Sequence, residues 1–316
     1  MRIEKVIFMG TPEFAVPTLV ELSKTHFKPI LCITQPDRPK GRKRKITPPE
    51  VKVKAEELNI PIIQPENVNS EKVLSQLEEI SPDIIITVAY GEFLKKRIRL
   101  LPKFGCINLH PSLLPKYRGP APVNFALFNN DEFTGNTIFK IVAEMDAGPI
   151  LLQSKIEIEV DDYYTKLLNK LAKIGAKNVI EVLEDIESKG LITSEQDHSK
   201  VSYSYKLKKN DFILDWNNSA EFINNRVRGF AESPGLIASF RGKRFKLIEV
   251  KILQSRSGDD PGTVVKIIKN TGIVVATKDY DLLLSKVQPS GKRIMSSHAF
   301  NLGANIEIGE KFENGF

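Results

Sequence analysis

Only two cysteines occur in the 316 residues, Cys32 and Cys106. Each sits in an apolar, strand-like run with no CxxC pair and no Cys/His ligand spacing beside it, so both are expected to be reduced, buried and inert. Long apolar runs are missing as well. After Met1-Arg2-Ile3-Glu4-Lys5, the run Val6–Met9 is far shorter than a signal core or a membrane span, which predicts a cytoplasmic protein with no membrane segment. The first strand ends in Gly10-Thr11-Pro12-Glu13, not in the glycine-rich dinucleotide fingerprint, and neither a Walker A nor a GxSxG sequence follows. Nucleotide cofactors are therefore not indicated. The four histidines, His26, His110, His198 and His298, are too dispersed to mark a metal site by spacing, and no metal is expected.

What is present is positive charge, gathered in two places. The formal net charge is +7, of which residues 206–316 hold +6, with 18 basic and 12 acidic side chains. The second place is the run Arg38, Lys40, Arg42, Lys43, Arg44 and Lys45, six cations within eight residues and no acid among them. A charge run is most often a solvated loop, and Pro39 and Gly41 favour an exposed loop here whatever its role.

Short apolar runs alternate with amphipathic stretches through the first half. Lys5–Met9, Ile30–Thr34, Pro61–Ile63, Asp83–Val88 and Cys106–Leu109 read as strands, and Glu13–Lys24, Pro49–Leu58, Glu71–Ile80 and Ala121–Asn129 as helices. Pro17 moves the first helix start later. Ile84-Ile85-Ile86-Thr87-Val88 is nearly all apolar, as a parallel strand covered on both faces must be. Two longer extended runs, Asn136–Glu144 and Ile150–Ile158, and a helix over Tyr163–Glu187 complete the domain. Beyond a polar, serine-rich stretch and a helix over Asn217–Arg228, the runs Phe245–Leu253, Gly262–Ile268, Gly272–Thr277 and Asp281–Val287 are spaced like strands of a small barrel. The expected fold is α/β, with a doubly wound, mostly parallel Rossmann-like sheet in residues 1–188, a linker over 189–205, and a smaller OB-like β-barrel in 206–316.

The informative stretch is Gly105-Cys106-Ile107-Asn108-Leu109-His110-Pro111-Ser112-Leu113-Leu114-Pro115-Lys116-Tyr117-Arg118-Gly119. Residues two apart on a strand share a face, so Asn108 and His110 stand side by side where Pro111 stops the strand. In an open α/β sheet that end of a strand faces the ligand crevice. Asp146, on the turn Glu144-Met145-Asp146-Ala147-Gly148-Pro149, is placed to fold back as a third member. Taken alone, Asn108 and His110 also look like a strand end satisfying its own backbone, and Asp146 like an ordinary turn residue. Together, an amide donor, an imidazole and a carboxylate suit attack of an amine on a carbonyl, because the oxyanion needs donors and the amine must lose a proton. Ser112 beside His110 lacks the elbow sequence of a nucleophile, and Cys106 is expected to be structural.

Asn108-Leu-His110-Pro-Ser-Leu-Leu-Pro-Lys-Tyr-Arg-Gly followed by Met145-Asp146-Ala-Gly resembles the signature of the tetrahydrofolate-dependent formyltransferases. Phe8–Ala15, Gln35–Arg42 and Val88–Gly91 extend the resemblance to nearly the whole chain, and bring it nearest to members that act on a charged tRNA. The resemblance implies 10-formyltetrahydrofolate as co-substrate, held near Ser112, Leu113, Leu114 and Pro115, with its pterin close to Val88, Ala89, Tyr90 and Gly91. It implies the amino group of initiator methionyl-tRNA as acceptor. Asn108 and His110 would then polarise the formyl carbonyl, with Asp146 orienting His110 and assisting removal of the amine proton. Arg38, Lys40, Gly41, Arg42, Lys43, Arg44 and Lys45 would enter the acceptor end of the tRNA, and the basic second domain would follow its backbone. The chain is expected to be a monomer. Pro111, Pro149 and the stretch Phe230–Gly235 depart from what many relatives carry. A formyltransferase for an amino sugar nucleotide, a formyltetrahydrofolate hydrolase and a non-catalytic RNA-binding protein stay open as alternatives. The first two share the Asn/His/Asp core but have no need of the cationic run, and the third would be expected to have lost the core.

Overall fold

The computed structural model describes residues 2–41 and 44–316. In chain order the elements are β1 (Val6–Gly10), α1 (Val16–Ser23), β2 (Leu31–Ile33), β3 (Arg38–Lys40), β4 (Lys45–Thr47), α2 (Glu50–Glu57), β5 (Ile62–Ile63), α3 (Glu71–Ile80), β6 (Ile84–Val88), α4 (Lys96–Leu100), β7 (Cys106–His110), α5 (Pro122–Phe128), β8 (Phe133–Lys140), β9 (Ile150–Glu157) and α6 (Tyr164–Lys189). There follow α7 (Ala220–Phe230), β10 (Leu236–Phe240), β11 (Lys243–Ile252), β12 (Val264–Ile268), β13 (Gly272–Val275), β14 (Leu282–Pro289), β15 (Met295–Ser296), α8 (Ser297–Ala304) and β16 (Phe312–Asn314). Two compact units emerge: Met1–Pro122, Phe133–Glu157 and Leu168–Ser204 form one, and Val123–Glu132, Ile158–Leu167 and Tyr205–Phe316 the other.

The first unit is built on a sheet of order β5-β2-β1-β6-β7-β8-β9, parallel from β5 to β7 and antiparallel from β7 to β9. The chain runs outward from β1 to β2 and β5, then returns to β6 on the other side of β1. That reversal opens a crevice beyond the carboxyl ends of β1 and β6, the place where open α/β sheets hold ligands. All five residues of β1 and of β6 are buried, as the unbroken apolar runs require. Ile7, Met9, Ile33, Ile85 and Cys106 pack with Leu74 and Leu77 of α3 in one cluster. Helix α3 turns that face inward through apolar residues three and four apart, and its N-terminus is capped by the Ser70 hydroxyl. The first helix does start late: a single turn over Glu13–Ala15 precedes it, and Pro17 lies in its first turn, where a missing N–H costs nothing.

The second unit is a curled antiparallel sheet of order β12-β13-β14-β11-β10-β16, with β15 added along β14. A bridge between Thr263 and Lys311 links the two ends of that order, so the sheet curls toward a barrel. Alternate residues such as Phe245 and Leu247 of β11, Leu282 and Leu284 of β14, and Phe312 fill its interior. Helix α7, capped by the Ser219 hydroxyl at 3.2 Å from the Phe222 amide, lays Ile223, Val227 and Phe230 on the same core. Among the described residues no helix is long and apolar enough to cross a membrane.

The described residues of the cationic run are exposed, as Pro39 and Gly41 favour, and the run is also partly regular. Its flanks form the hairpin β3–β4, with Arg38 opposite Thr47, Pro39 opposite Ile46 and Lys40 opposite Lys45. Gly41 and Arg44 take positive φ at the tip, and Arg42 and Lys43 lie outside the described residues.

Candidate active site

Strand β7 ends the parallel part of the sheet, and its last residues carry the polar pair. Asn108 lies beside Thr87 of β6, whose hydroxyl donates to Asn108 Oδ1 at 2.8 Å and also lies 3.1 Å from the Ile107 carbonyl. With its oxygen held there, the Asn108 amide presents its nitrogen outward, and among the described residues that nitrogen carries no hydrogen bond. Two N–H donors at a half-buried strand end are therefore available to a ligand.

His110, two residues on, is 5% exposed. Its Nε2 is 3.0 Å from the carbonyl of Tyr117. A carbonyl can only accept, so Nε2 carries the proton and the neutral ring keeps its lone pair on Nδ1. Nδ1 in turn faces Asp146 Oδ2 at 3.8 Å, too far for a direct hydrogen bond. The same carboxylate oxygen accepts the Gly119 amide at 2.8 Å. Asp146 has φ of 51°, a left-handed conformation that aspartate tolerates better than most side chains. Gly148 completes the turn. A Cβ there would stand 1.7 Å from the Lys140 carbonyl, so the chain can pass the end of β8 only as glycine.

Ser112 to Pro115 form a turn fastened to β8 and β9. The Leu114 amide donates to Thr137 Oγ1 at 3.0 Å, Thr137 donates to the Ser112 carbonyl at 2.6 Å, and Gln153 Nε2 donates to the Leu114 carbonyl at 2.7 Å. The Leu114–Pro115 bond is cis. The Ser112 hydroxyl is spent on the Lys116 carbonyl at 2.6 Å, and the Leu113 side chain fills the gap beside Gly135. Thus the turn offers a fixed backbone and apolar flanks. Val88 to Gly91 leave β6 at the crevice. The Tyr90 carbonyl accepts the Thr11 hydroxyl at 2.8 Å, and burial of its side chain in the β1–β6 cluster raises the phenol pKa well above its ordinary value. Cys106 is buried under the same sheet, and desolvation pushes its thiol up to about 12, which makes it inert as a nucleophile.

The structure therefore brings together Asn108, His110, Asp146 and the Ser112–Pro115 turn, with Val88–Gly91 at the end of the neighbouring strand β6. The hairpin's links run elsewhere. Arg38 pairs with Glu66 at 2.7 Å and Lys40 with Glu50 at 2.5 Å, while Asp37 at its base, held by Gln64 and Lys52, stays below the usual carboxylate pKa. Arg44 and Lys45 form no ion pair among the described residues. Sequence reasoning missed Thr87, Thr137 and Gln153, which orient the site from neighbouring strands; nothing in their local sequence marks them. It also missed the stretch 189–205. Ser194 bridges Ile150 there, Gln196 is 4% exposed, and Tyr203 pairs with Arg118.

An amide, an imidazole and a carboxylate gather at the carboxyl end of β7, two strands from β1 in an open α/β sheet, the end at which proteins of this class hold ligands. A family model described as formyl transferase matches residues 4–183, and its C-terminal domain matches residues 206–305. The chain belongs to the formyl transferase family. It is 38% identical over 312 residues to the methionyl-tRNA formyltransferase of Thermotoga maritima, covering 99% of each chain. The methionyl-tRNA formyltransferase of Kosmotoga olearia is 42% identical over 308 residues, 97% of this chain and 99% of its own. Among solved structures, WlaRD, a sugar 3N-formyl transferase crystallised with dTDP and 5-N-formyl-THF, has a TM-score of 0.65 at 19% identity, over 93% of this chain and all of that one. HypX from Aquifex aeolicus in complex with tetrahydrofolic acid gives 0.64 at 14% identity over 97% of this chain, which spans about half (48%) of the HypX chain. At such identities the two structures speak to the fold.

Proposed function

We propose that this protein transfers the formyl group of 10-formyltetrahydrofolate to the amino group of methionyl-initiator tRNA in the cytoplasm. Residues 1–188 carry the chemistry, and residues 206–316 follow the tRNA backbone. The observation that carries the reading is the approach of His110 Nδ1 to Asp146 at 3.8 Å beside the outward-facing amide nitrogen of Asn108. The methionyl nitrogen attacks the formyl carbon, a C–N bond forms, and the carbonyl electron pair moves onto oxygen. Asn108 Nδ2 donates to that oxyanion. The ammonium proton passes to His110 Nδ1, directly or through a water held by Asp146, and the charged imidazole becomes a second donor stabilised by the carboxylate. Collapse of the oxyanion breaks the bond to the folate N10, which takes up the proton held by His110 as it leaves and so restores the neutral ring. The Ser112–Pro115 turn and Val88–Gly91 form the folate side of the crevice.

The acceptor is tested by supplying formyl donor with charged initiator tRNA, charged elongator tRNA and an amino sugar nucleotide in parallel. Product on the initiator tRNA is expected. Formyl transfer to the sugar nucleotide, or release of formate without an acceptor, would replace this reading by one of its rivals.

The cations at the hairpin tip supply a second test. Arg38 and Lys40 are engaged by carboxylates, whereas Arg44 and Lys45 face no acid among the described residues, so the latter two are placed to meet phosphates. Replacing both by glutamine should raise KM for the tRNA and reduce the slope of log KM against log salt by about 0.7–0.9 for each phosphate no longer neutralised. KM for the folate should not move. An unchanged salt slope removes the hairpin from the tRNA interface.

A further inference from the structure

We propose, resting on the reading above, that Arg118 and Gln196 are positioning residues that clamp the Asp146 turn against His110. Arg118 is fully buried, an unusual place for a guanidinium, and neither its charge nor its donors touch the crevice residues directly. Its Nε and Nη2 both donate to Gln196 Oε1, at 3.2 and 2.8 Å, and its Nη1 donates to Glu144 Oε1 at 2.9 Å. The His198 Nδ1 lies 3.5 Å from Nη2. Two guanidinium N–H groups on one atom settle which end of the Gln196 amide is oxygen. Its nitrogen must then point the other way, and there it donates to the carbonyls of both Asp146 and Gly148 at 2.8 Å.

The turn that carries Asp146 therefore hangs from one cation at three points: through the Glu144 side chain, and through Gln196 at residues 146 and 148. The backbone of Arg118 is fixed in turn, its amide donating to the Ser202 carbonyl at 2.9 Å and its carbonyl accepting the Ser204 amide at 2.8 Å. The carboxylate itself accepts the amide of Gly119, the residue after Arg118, at 2.8 Å, so the clamp fixes the backbone of the turn while the neighbour of Arg118 aims the side chain at the imidazole. The segment read from sequence as a linker thus supplies Gln196 and the seat for Arg118. Displacement of a reacting group by about 1 Å can cost about 10²-fold in rate, so a clamp of this kind acts on turnover rather than on substrate affinity.

Gln196→Glu separates the two halves of the clamp. It is isosteric and gives Arg118 a carboxylate, so the buried cation stays satisfied, but it has no N–H for the two carbonyls of the turn. In the variant, kcat for formylation should fall about 10–100-fold, with KM for folate and for tRNA within about threefold of the parent value. Hydrogen exchange at the amides of residues 144–148 should accelerate while β7 and β8 exchange as before. Gln196→Asn, one methylene too short to span both carbonyls, is measured alongside so that a folding defect in one variant does not remove the test. Unchanged exchange at the turn, or a loosened turn with kcat within threefold, overturns the proposal. Should the unsubstituted protein formylate no methionyl-tRNA, the functional reading fails, and the clamp is judged on the exchange alone.

Discussion

Asp146→Asn is expected to lower kcat by about 10²–10⁴-fold, the range over which a positioned acid or base contributes, while the protein keeps its fold. The asparagine carbonyl oxygen can still accept the Gly119 amide that now bonds Oδ2 at 2.8 Å, and the clamp through Gln196 reaches the backbone carbonyl of residue 146, not its side chain. What disappears is the negative charge 3.8 Å from His110 Nδ1. A neutral partner no longer stabilises the imidazolium formed when the amine gives up its proton, nor can it hold a water as acceptor for that proton. The loss should fall on kcat and kcat/KM alike, because the charge matters after binding. Single-turnover formylation at saturating donor and tRNA reads this directly. Retention of more than a tenth of the parent rate would exclude Asp146 from the proton path.

The sequence carried the first unit's parallel strands almost to the residue, because a strand buried on both faces must be apolar throughout and bounded by turns. Ile84–Val88 shows this well. The Asn108–His110 pair and Asp146 were legible for a related reason: strand alternation fixes which side chains share a face, and a glycine-bearing turn marks where the chain reverses. The hairpin β3–β4 was not, because its strands are three residues long, with Arg38, Lys40, Lys45 and Thr47 on one face and only Pro39 and Ile46 on the other, too little apolar alternation to mark a strand or fix a register. Strand β10 and the short β16 fell among turn residues that hid them. Least visible were the side chains that orient the site. Thr87 reads as one more β-branched residue in an apolar strand, and Gln196 as one polar residue in a serine-rich stretch. Their roles exist only through partners about 20 and 50 residues away.

Asn108→Ala should lower kcat by about 10²–10³-fold, the usual cost of removing one donor to a developing oxyanion. Alanine also removes volume at a half-buried strand end, so the sharper variant is Asn108→Asp. Its carboxylate has the shape of the amide and accepts the Thr87 hydroxyl as Asn108 Oδ1 does at 2.8 Å, which preserves the packing between β6 and β7. Yet it sets a negative oxygen where the N–H donors stood, so repulsion of the oxyanion is added to the missing hydrogen bond, and the rate should fall at least as far as in the alanine variant. Folate affinity should change far less than kcat in both, since the donors are most valuable when charge gathers on the formyl oxygen in the transition state. If the aspartate variant instead turns over faster than the alanine variant, the side chain at 108 acts by filling space, and the oxyanion must be held by other groups of the crevice.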